Sequence, residues 1–146
     1  MGRRAGHFSQ WAAQFAVASE LCKHEYQVAL TLGNHPTADL MVISPKGKHF
    51  IIDVKGLYSG NVWLIEPEPT IIPNLYYVLA FVPPHAPNEF FVLSQETANG
   101  LIRGTSFTDI RRGALKDHIV KWNVLPDWPE PKRTTRVGST SAGAGR

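Results

Sequence analysis

Two aspartates and a lysine occupy positions that a short β-hairpin would bring together. Residues 39–44 and 49–55 are rich in β-branched and aliphatic side chains, and the connection between them contains the Pro and Gly of a tight turn. A hairpin centred in that connection places Asp39 opposite Asp53, with Cβ atoms roughly 5 Å apart. Lys55 projects from the same face as Asp53, because side chains alternate along a strand. We therefore expect two carboxylates and an ammonium group to converge.

These three side chains suit one kind of chemistry. Two carboxylates held side by side repel each other, and a hard divalent cation between them reverses the sign of that interaction. Mg²⁺ binds oxygen ligands and keeps several waters, so it can position a water and neutralise a phosphate oxygen, while Lys55 orients that water or stabilises charge. The arrangement favours hydrolysis of a phosphodiester. On spacing alone a simpler interpretation stays open, in which Asp39 and Asp53 are turn residues at strand ends and Lys55 is solvated.

A helix is predicted before the hairpin. Residues 8–24 lack Gly and Pro and are rich in Ala, a composition that favours helix. One stripe of this helix carries Gln10, Gln14, Val17, Ala18 and Leu21. Glu20 lies about 120° round the helix from Gln14, so the two cannot point at the same surface. We expect Gln14 to face the interior and Glu20 the solvent.

Short strands separated by proline-rich connections make up the middle of the chain. They are predicted at residues 26–32, 62–66, 76–82 and 90–93. Together with the hairpin they predict an α/β (α+β) fold. Its central mixed sheet contains the antiparallel hairpin and is flanked by the N-terminal helix and by C-terminal helices.

Helical segments and a polar tail close the chain. Ser94 is the predicted cap of a helix that runs to about Arg103, and residues 108–121 favour a further turn or two of helix before a short extended segment. The tail 127–146 is rich in Pro, Gly, Ser and Thr and is predicted to be disordered. The folded domain is therefore expected to span residues 1–126.

The order of the polar residues resembles that of a known superfamily. Asp39 followed by Asp53-Val54-Lys55 comes after a helix that carries Gln14 and Leu21 and after the segment Glu25-Tyr26-Gln27-Val28. This order resembles the PD-(D/E)XK nuclease superfamily, which includes restriction endonucleases and archaeal Holliday junction resolvases. The resemblance implies a restriction endonuclease-like core and places this chain in a stand-alone branch.

Three positions depart from the pattern of that superfamily over the roughly 120 residues, 6–126, that the resemblance covers. Gln14 stands where many relatives have Glu, which removes a negative charge. Ala38 replaces the Pro before the first aspartate. Glu25 occupies the usual Gly position, which argues against a strict need for a left-handed backbone there.

Carried over position by position, the resemblance implies a set of site residues. Asp39, Asp53 and the carbonyl oxygen of Val54 would bind the metal, Lys55 would be the catalytic lysine, and Gln14 would reach a water on the metal. The implied cofactor is Mg²⁺, with Mn²⁺ as a substitute, and the implied activity is hydrolysis of phosphodiester bonds in DNA. The alternative is a nuclease-fold module with weak or no activity that binds DNA or a protein, so the sequence alone leaves open whether the chain is an enzyme.

The charge of the chain is concentrated at its C-terminal end. The sequence has 15 Lys and Arg against 12 Asp and Glu, a net charge of +3. Residues 132–146 contain four of the basic residues and no acid, so the remainder is close to neutral. DNA contact would therefore depend on local clusters. The candidates for phosphate contacts are Lys46, Lys48, Arg111 and Arg112.

Other features of the sequence exclude protein classes or suggest partners. The single cysteine rules out an intramolecular disulfide, and no GxGxxG or GxxxxGK[ST] motif points to a dinucleotide or nucleoside triphosphate. No apolar run approaches the roughly 20 residues of a membrane span, so we expect no membrane partner and a cytoplasmic location. The long aromatic strand 76–82 suggests a sheet edge that could pair with a second copy, which would give a homodimer.

Overall fold

The described chain begins with a long helix, continues through seven strands and ends in short helical segments. The computed structural model describes residues 2–106, 108–119 and 121–131, with side chains from residue 6 onward, so most of the predicted tail lies outside the described residues. The α-helices are α1 (Gly2–Lys23) and α2 (Gln95–Leu101). The strands are β1 (Gln27–Leu30), β2 (Leu40–Ile43), β3 (His49–Leu57), β4 (Val62–Leu64), β5 (Leu75–Phe81), β6 (Glu89–Ser94) and β7 (Asp109–Arg111). Two 3₁₀ helices follow at Arg112–His118 and Trp122–Val124.

Five of the strands form a mixed sheet in the order β1-β2-β3-β5-β6. β5 runs parallel to β3, and the other neighbouring strands pair antiparallel. The predicted α/β class and the mixed sheet with its antiparallel hairpin are therefore confirmed. The hairpin also has the predicted register, since Leu40 faces Ile52 and Ile43 faces His49. β3 has nine residues and β2 only four, so the second half of β3 extends beyond β2.

Helix α1 covers one face of this sheet. Val17 and Leu21, both on the predicted stripe, are fully buried against it. The helix begins at Gly2 rather than at residue 8, because one glycine in a helix costs about 1 kcal/mol and does not end it. It lies very close to β3, where a Cβ atom on Gly56 would be 2.5 Å from the Ser9 carbonyl oxygen. A glycine in the middle of a strand marks such a close backbone approach.

The end of α1 corrects the expectation for Glu25. The backbone of Glu25 is left-handed, with a φ of 66°. The amide of Tyr26 donates to the Leu21 carbonyl at 3.2 Å and that of Glu25 to the Cys22 carbonyl at 3.1 Å. These two bonds form a Schellman motif, which requires a left-handed residue where Gly is usual. The prediction that this position needs no left-handed backbone is therefore wrong, because the helix end imposes the conformation on a glutamate.

A second layer covers the other face of the sheet over β5 and β6. It contains β4 and β7, which form a separate two-stranded sheet. Trp63 of β4 faces Ile110 of β7, and both are buried together with Leu115 of the first 3₁₀ helix. Residues 109–111, predicted as helix, are therefore strand, because the pairing with β4 buries Ile110. The extended segment predicted before the tail begins instead as the second 3₁₀ helix.

Helix α2 has the predicted start and an earlier end. The Ser94 hydroxyl accepts a hydrogen bond from the Thr97 amide at 3.2 Å, which confirms the cap. The helix ends at Leu101 rather than near Arg103. Arg103 exchanges two backbone hydrogen bonds with Asp109, at 2.8 and 3.0 Å, so its backbone is already committed to an extended bridge.

The segment after residue 126 continues the fold for at least two residues. The Asp127 carboxylate accepts a hydrogen bond from the Ser44 hydroxyl. The Trp128 ring stacks on Trp122, with centroids 5.4 Å apart, and also contacts Tyr26. Sequence alone placed both residues in the tail because the prolines around them suggest a linker.

Two findings bear on the predicted partners. β5 lies between β3 and β6, so the prediction that residues 76–82 form a sheet edge able to pair with a second copy is wrong. None of the helices in the described part of the chain is long and apolar enough to cross a bilayer.

Candidate active site

The site lies where β3 extends beyond β2. The last backbone hydrogen bond between the two chain segments runs from the Asp39 amide to the Ile52 carbonyl, at 2.9 Å. Beyond it, the Asp39 side chain takes the place of a strand, because its Oδ2 accepts from the Val54 amide at 2.8 Å. Asp39 is therefore held at the open end of the hairpin by a bond to the backbone of β3.

The side chain of Gln10 completes the same edge of β3. Its Nε2 donates to the Val54 carbonyl at 2.6 Å and its Oε1 accepts from the Gly56 amide at 3.0 Å. A side-chain amide can both donate and accept like a peptide group, so Gln10 replaces the missing neighbour strand. The sequence placed Gln10 on the interior stripe of the helix but assigned it no function. The sequence signal that could have identified Gln10 is a polar amide on a helix stripe that is otherwise largely apolar.

Gln14 lies one helical turn further along α1 and contacts the predicted site directly. Its Nε2 donates to Asp39 Oδ1 at 3.2 Å, and the residue is 8% exposed. The prediction that Gln14 faces the interior is confirmed, while Glu20 lies on the outer side of the helix in a pair with Lys23. Through Gln14 the helix fixes the orientation of the Asp39 carboxylate.

Asp53 and Lys55 lie on the face of β3 that is opposite to α1. The Lys55 Nζ is 3.0 Å from Asp53 Oδ1, and both side chains are partly buried. Asp53 Oδ1 is nevertheless a buried acceptor for which no described residue provides a well-aligned hydrogen bond. The 3.0 Å contact with Lys55 is an ion pair that compensates part of the charge of Asp53.

The two carboxylates share an environment that disfavours their charges. Burial raises the pKa of Asp39, and the Val54 amide and the Lys55 ammonium oppose this only in part. Burial likewise raises the pKa of Asp53, where Lys55 opposes the shift and the charge of Asp39 adds to it. Asp39 and Asp53 are thus close enough to repel each other, as the hairpin register predicts. A cation between them would relieve both the burial cost and the repulsion.

A cavity of about 540 Å³ opens beside Asp53 and Lys55. It lies between the sheet and the layer formed by β4 and the loop that follows it. Tyr77 of β5 forms part of its wall, as do Glu66 and Glu68 of the loop. Burial and the charges of Asp53 and Glu68 raise the pKa of Tyr77 to about 12, so its hydroxyl stays protonated at neutral pH. The volume lies within the range of small-molecule sites.

A buried glutamine of α2 holds the loop that forms this wall. Gln95 is 3% exposed; its Oε1 accepts from the Ile72 amide at 2.8 Å. Its Nε2 donates to the Thr70 carbonyl at 2.8 Å and to the Glu68 carbonyl at 3.3 Å. A side chain from another element thus provides hydrogen-bond partners for the loop backbone, which has no regular secondary structure, and fixes the loop in the cavity wall. Gln95 has no local sequence signal, because nothing near it in the sequence marks a glutamine that binds the backbone of a distant loop.

The oxygen donors at the open end of the hairpin are two carboxylates, of which Asp39 already accepts one hydrogen bond on each oxygen. Among the described residues no three His, Cys, Asp or Glu side chains form a metal-binding group, so Asp39 and Asp53 stand without a third such ligand. Mg²⁺ is usually bound through one or two carboxylates and several waters, so the number and type of these donors are those that Mg²⁺ takes. The Val54 carbonyl, implied as a third ligand, already accepts from Gln10, and only its second lone pair is open.

Two of the basic residues expected to contact DNA lie far from the carboxylates. Lys46 and Lys48 are exposed at the closed end of the hairpin, and Asp39 and Asp53 are at its open end. A strand rises about 3.4 Å per residue, so the five residues from Asp39 to Ser44 separate the two ends by roughly 17 Å.

The other two lie at the far end of the β4–β7 sheet. Arg111 is exposed on β7. Arg112 forms an ion pair with Glu89, and its guanidinium lies 4.1 Å from the centre of the Phe81 ring. Both arginines line a hollow that does not include Asp53 or Lys55. Arg112 is thus held by contacts within the fold, and Arg111 has the more accessible side chain.

Searches of protein families, of curated proteins and of solved structures return no match for this chain.

Proposed function

We propose that this chain is a metal-dependent nuclease that hydrolyses phosphodiester bonds in DNA and belongs to the PD-(D/E)XK superfamily. The observation that carries the proposal is the largely buried Asp53 carboxylate, which is paired with Lys55, feels the charge of Asp39 and forms part of the wall of a cavity. The order of elements supports it, because a helix, an antiparallel hairpin and a parallel strand surround the residues of the motif.

Each residue of the site has a distinct part in this proposal. Asp39 and Asp53 would hold Mg²⁺, which supplies charge neutralisation at the phosphate and lowers the pKa of water. Lys55 lies at contact distance from Asp53, where it stabilises negative charge on the phosphate or orients the attacking water. Gln14 keeps the Asp39 carboxylate in its orientation, and Gln10 keeps the backbone of Val54 in place. Positioning by fixed dipoles and charges accounts for most of the catalysis in phosphoryl transfer.

DNA would enter from the side of the cavity and contact basic residues at a distance. The predicted contacts of Lys46 and Lys48 correspond to phosphates about five nucleotides from the cleavage point, because successive phosphates of one strand are about 3.4 Å apart along the axis. Arg111 and Arg112 would contact another stretch of the backbone. Such contacts position the substrate without selecting a sequence.

A cleavage assay with matched variants tests the proposal. Plasmid and branched DNA are incubated with Mg²⁺ or Mn²⁺ and wild-type protein, Asp53→Asn or Asp117→Asn. Asp117 is exposed on the first 3₁₀ helix and serves as the control for loss of a carboxylate away from the site. We expect metal-dependent cleavage by wild type and the control and a loss of at least about 100-fold in Asp53→Asn. Equal traces of cleavage in all three proteins would reject intrinsic activity.

A second candidate is a nuclease-fold module that binds DNA or a protein without turnover. It is favoured by Gln14, which provides an amide at a position where a carboxylate could bind a second metal, and by the engagement of the Val54 carbonyl with Gln10. Calorimetry separates the two candidates. Absence of Mn²⁺ binding at millimolar concentration, together with tight and salt-sensitive DNA binding, would support the binding module.

A further inference from the structure

The position of Tyr77 places a phenol next to the candidate site. Tyr77 lies in the middle of β5 and is in register with Asp53 of β3. Residues in register on neighbouring strands project from the same face, so the Tyr77 ring lies beside the Asp53 side chain. The residue is 4% exposed and lines the cavity that Asp53 and Lys55 also line. The strand therefore fixes the ring in the cavity wall.

The hydroxyl of Tyr77 differs from that of the other buried tyrosine. Tyr26 is equally buried, and its hydroxyl donates to the Pro126 carbonyl at 2.6 Å. The Tyr77 hydroxyl makes no hydrogen bond to another described residue, and it is not among the buried polar atoms that lack a partner, so it is accessible from the cavity that Tyr77 lines. A hydroxyl that faces such a cavity keeps its bonds to water until a ligand replaces them. The Tyr77 hydroxyl is therefore available to a ligand in the cavity.

The charges around the cavity limit what could hold a phosphate there. Asp53, Glu66 and Glu68 contribute negative charge to the wall, and Lys55 is already in contact with Asp53. A phosphodiester in this cavity needs donors beyond one shared ammonium group. A neutral hydroxyl supplies a charge-assisted hydrogen bond to a phosphate oxygen, and tyrosine is among the side chains that contact phosphates in DNA complexes.

We propose that the Tyr77 hydroxyl donates a hydrogen bond to a non-bridging oxygen of the phosphate that is hydrolysed. Tyr77 and Lys55 then form two donors on neighbouring strands that hold the phosphate against the carboxylates. This inference rests on the proposed nuclease function and adds a substrate-binding residue that the sequence motif does not contain.

The substitution Tyr77→Phe tests the inference, because it removes one oxygen and keeps the ring. The matched control is Tyr76→Phe, on the same strand but on the opposite face, where the ring packs on Phe50 with centroids 5.6 Å apart. The readout independent of turnover is binding of a thymidine dinucleotide, measured by calorimetry with Ca²⁺ in place of Mg²⁺. We expect Tyr77→Phe to bind about 10- to 100-fold more weakly and Tyr76→Phe to match wild type, with similar melting temperatures for all three.

Cleavage kinetics with Mg²⁺ provide the second readout. A fall in kcat/KM of about the same factor for Tyr77→Phe alone supports the inference. Wild-type affinity and kinetics in Tyr77→Phe would overturn it while leaving the proposed function intact. Absence of both metal-dependent dinucleotide binding and cleavage in wild type would reject the nuclease function and the inference together.

Discussion

Replacing Gly56 by alanine perturbs the contact that joins α1 to the site. The new Cβ would lie 2.5 Å from the Ser9 carbonyl oxygen and 2.6 Å from the Ala13 Cβ, against 3.4–4 Å for an ordinary contact. Because one of these atoms belongs to the helix backbone, α1 must move away by about 1 Å. Overpacking of this kind costs about 1–3 kcal/mol. A displaced helix would also stretch the 3.0 Å bond between Gly56 and Gln10 and the 3.2 Å bond between Gln14 and Asp39 beyond hydrogen-bond range.

With about 1 kcal/mol added for the two weakened hydrogen bonds, we expect Gly56→Ala to lower the free energy of unfolding by about 2–4 kcal/mol and the melting temperature by roughly 10 °C. Urea denaturation with an unchanged slope measures the first value, and calorimetric titration with Mn²⁺ shows whether the site weakens in parallel. Gly100→Ala is the control, because nothing lies within 4 Å of its added Cβ and alanine favours the helix that contains it. Equal stability of Gly56→Ala and wild type would refute the close approach of α1 to β3.

Two further predictions concern the end of α1 and the residue that follows it. Glu25→Gly should raise the free energy of unfolding by about 0.5–1 kcal/mol, because glycine adopts the left-handed φ of 66° without strain. Urea denaturation measures this change, and a lower stability of the variant would contradict the Schellman motif. Burial and the charge of Asp127 raise the pKa of Tyr26 from 10.0 to about 12, so the folded state keeps a proton that the unfolded state loses above pH 10. The contribution of Tyr26 to the free energy of unfolding is therefore complete below pH 10 and is lost as the pH rises to about 12, a change of about 2–3 kcal/mol. Urea denaturation across this pH range measures the change, which should be absent in Tyr26→Phe.

The parts of the fold that sequence analysis predicted correctly are those with strong local signals. The β-branched runs on either side of a Pro-Gly connection determine the register of the hairpin. The sequence alone therefore predicts that Asp39 lies opposite Asp53. The stripe on α1 likewise placed Gln14 in the interior, because apolar periodicity identifies the buried side of a helix.

The features that could not be predicted depend on contacts between distant residues. β7 pairs with β4 although α2 and two other strands separate them in the sequence, and residues 109–111 are strand only because Trp63 covers Ile110. Gln10 and Gln95 serve backbone groups of other elements, at sequence separations of 44 and 25 residues. A local pattern contains no information about which backbone groups lack a partner elsewhere in the fold.

The difference in length between β2 and β3 explains how structural and chemical functions are divided at the site. β3 continues past its partner, and the exposed edge must be satisfied by side chains: Asp39 binds the Val54 amide, and Gln10 binds the Val54 carbonyl and the Gly56 amide. Asp39 is therefore needed for the fold as well as for a cation, and its substitution would affect both. Asp53 has no such bond to the backbone within the described chain, and the Lys55 ammonium at 3.0 Å offsets only part of the cost of burying its charge. It follows that Asp53, rather than Asp39, is the position at which loss of metal binding can be separated from loss of folding.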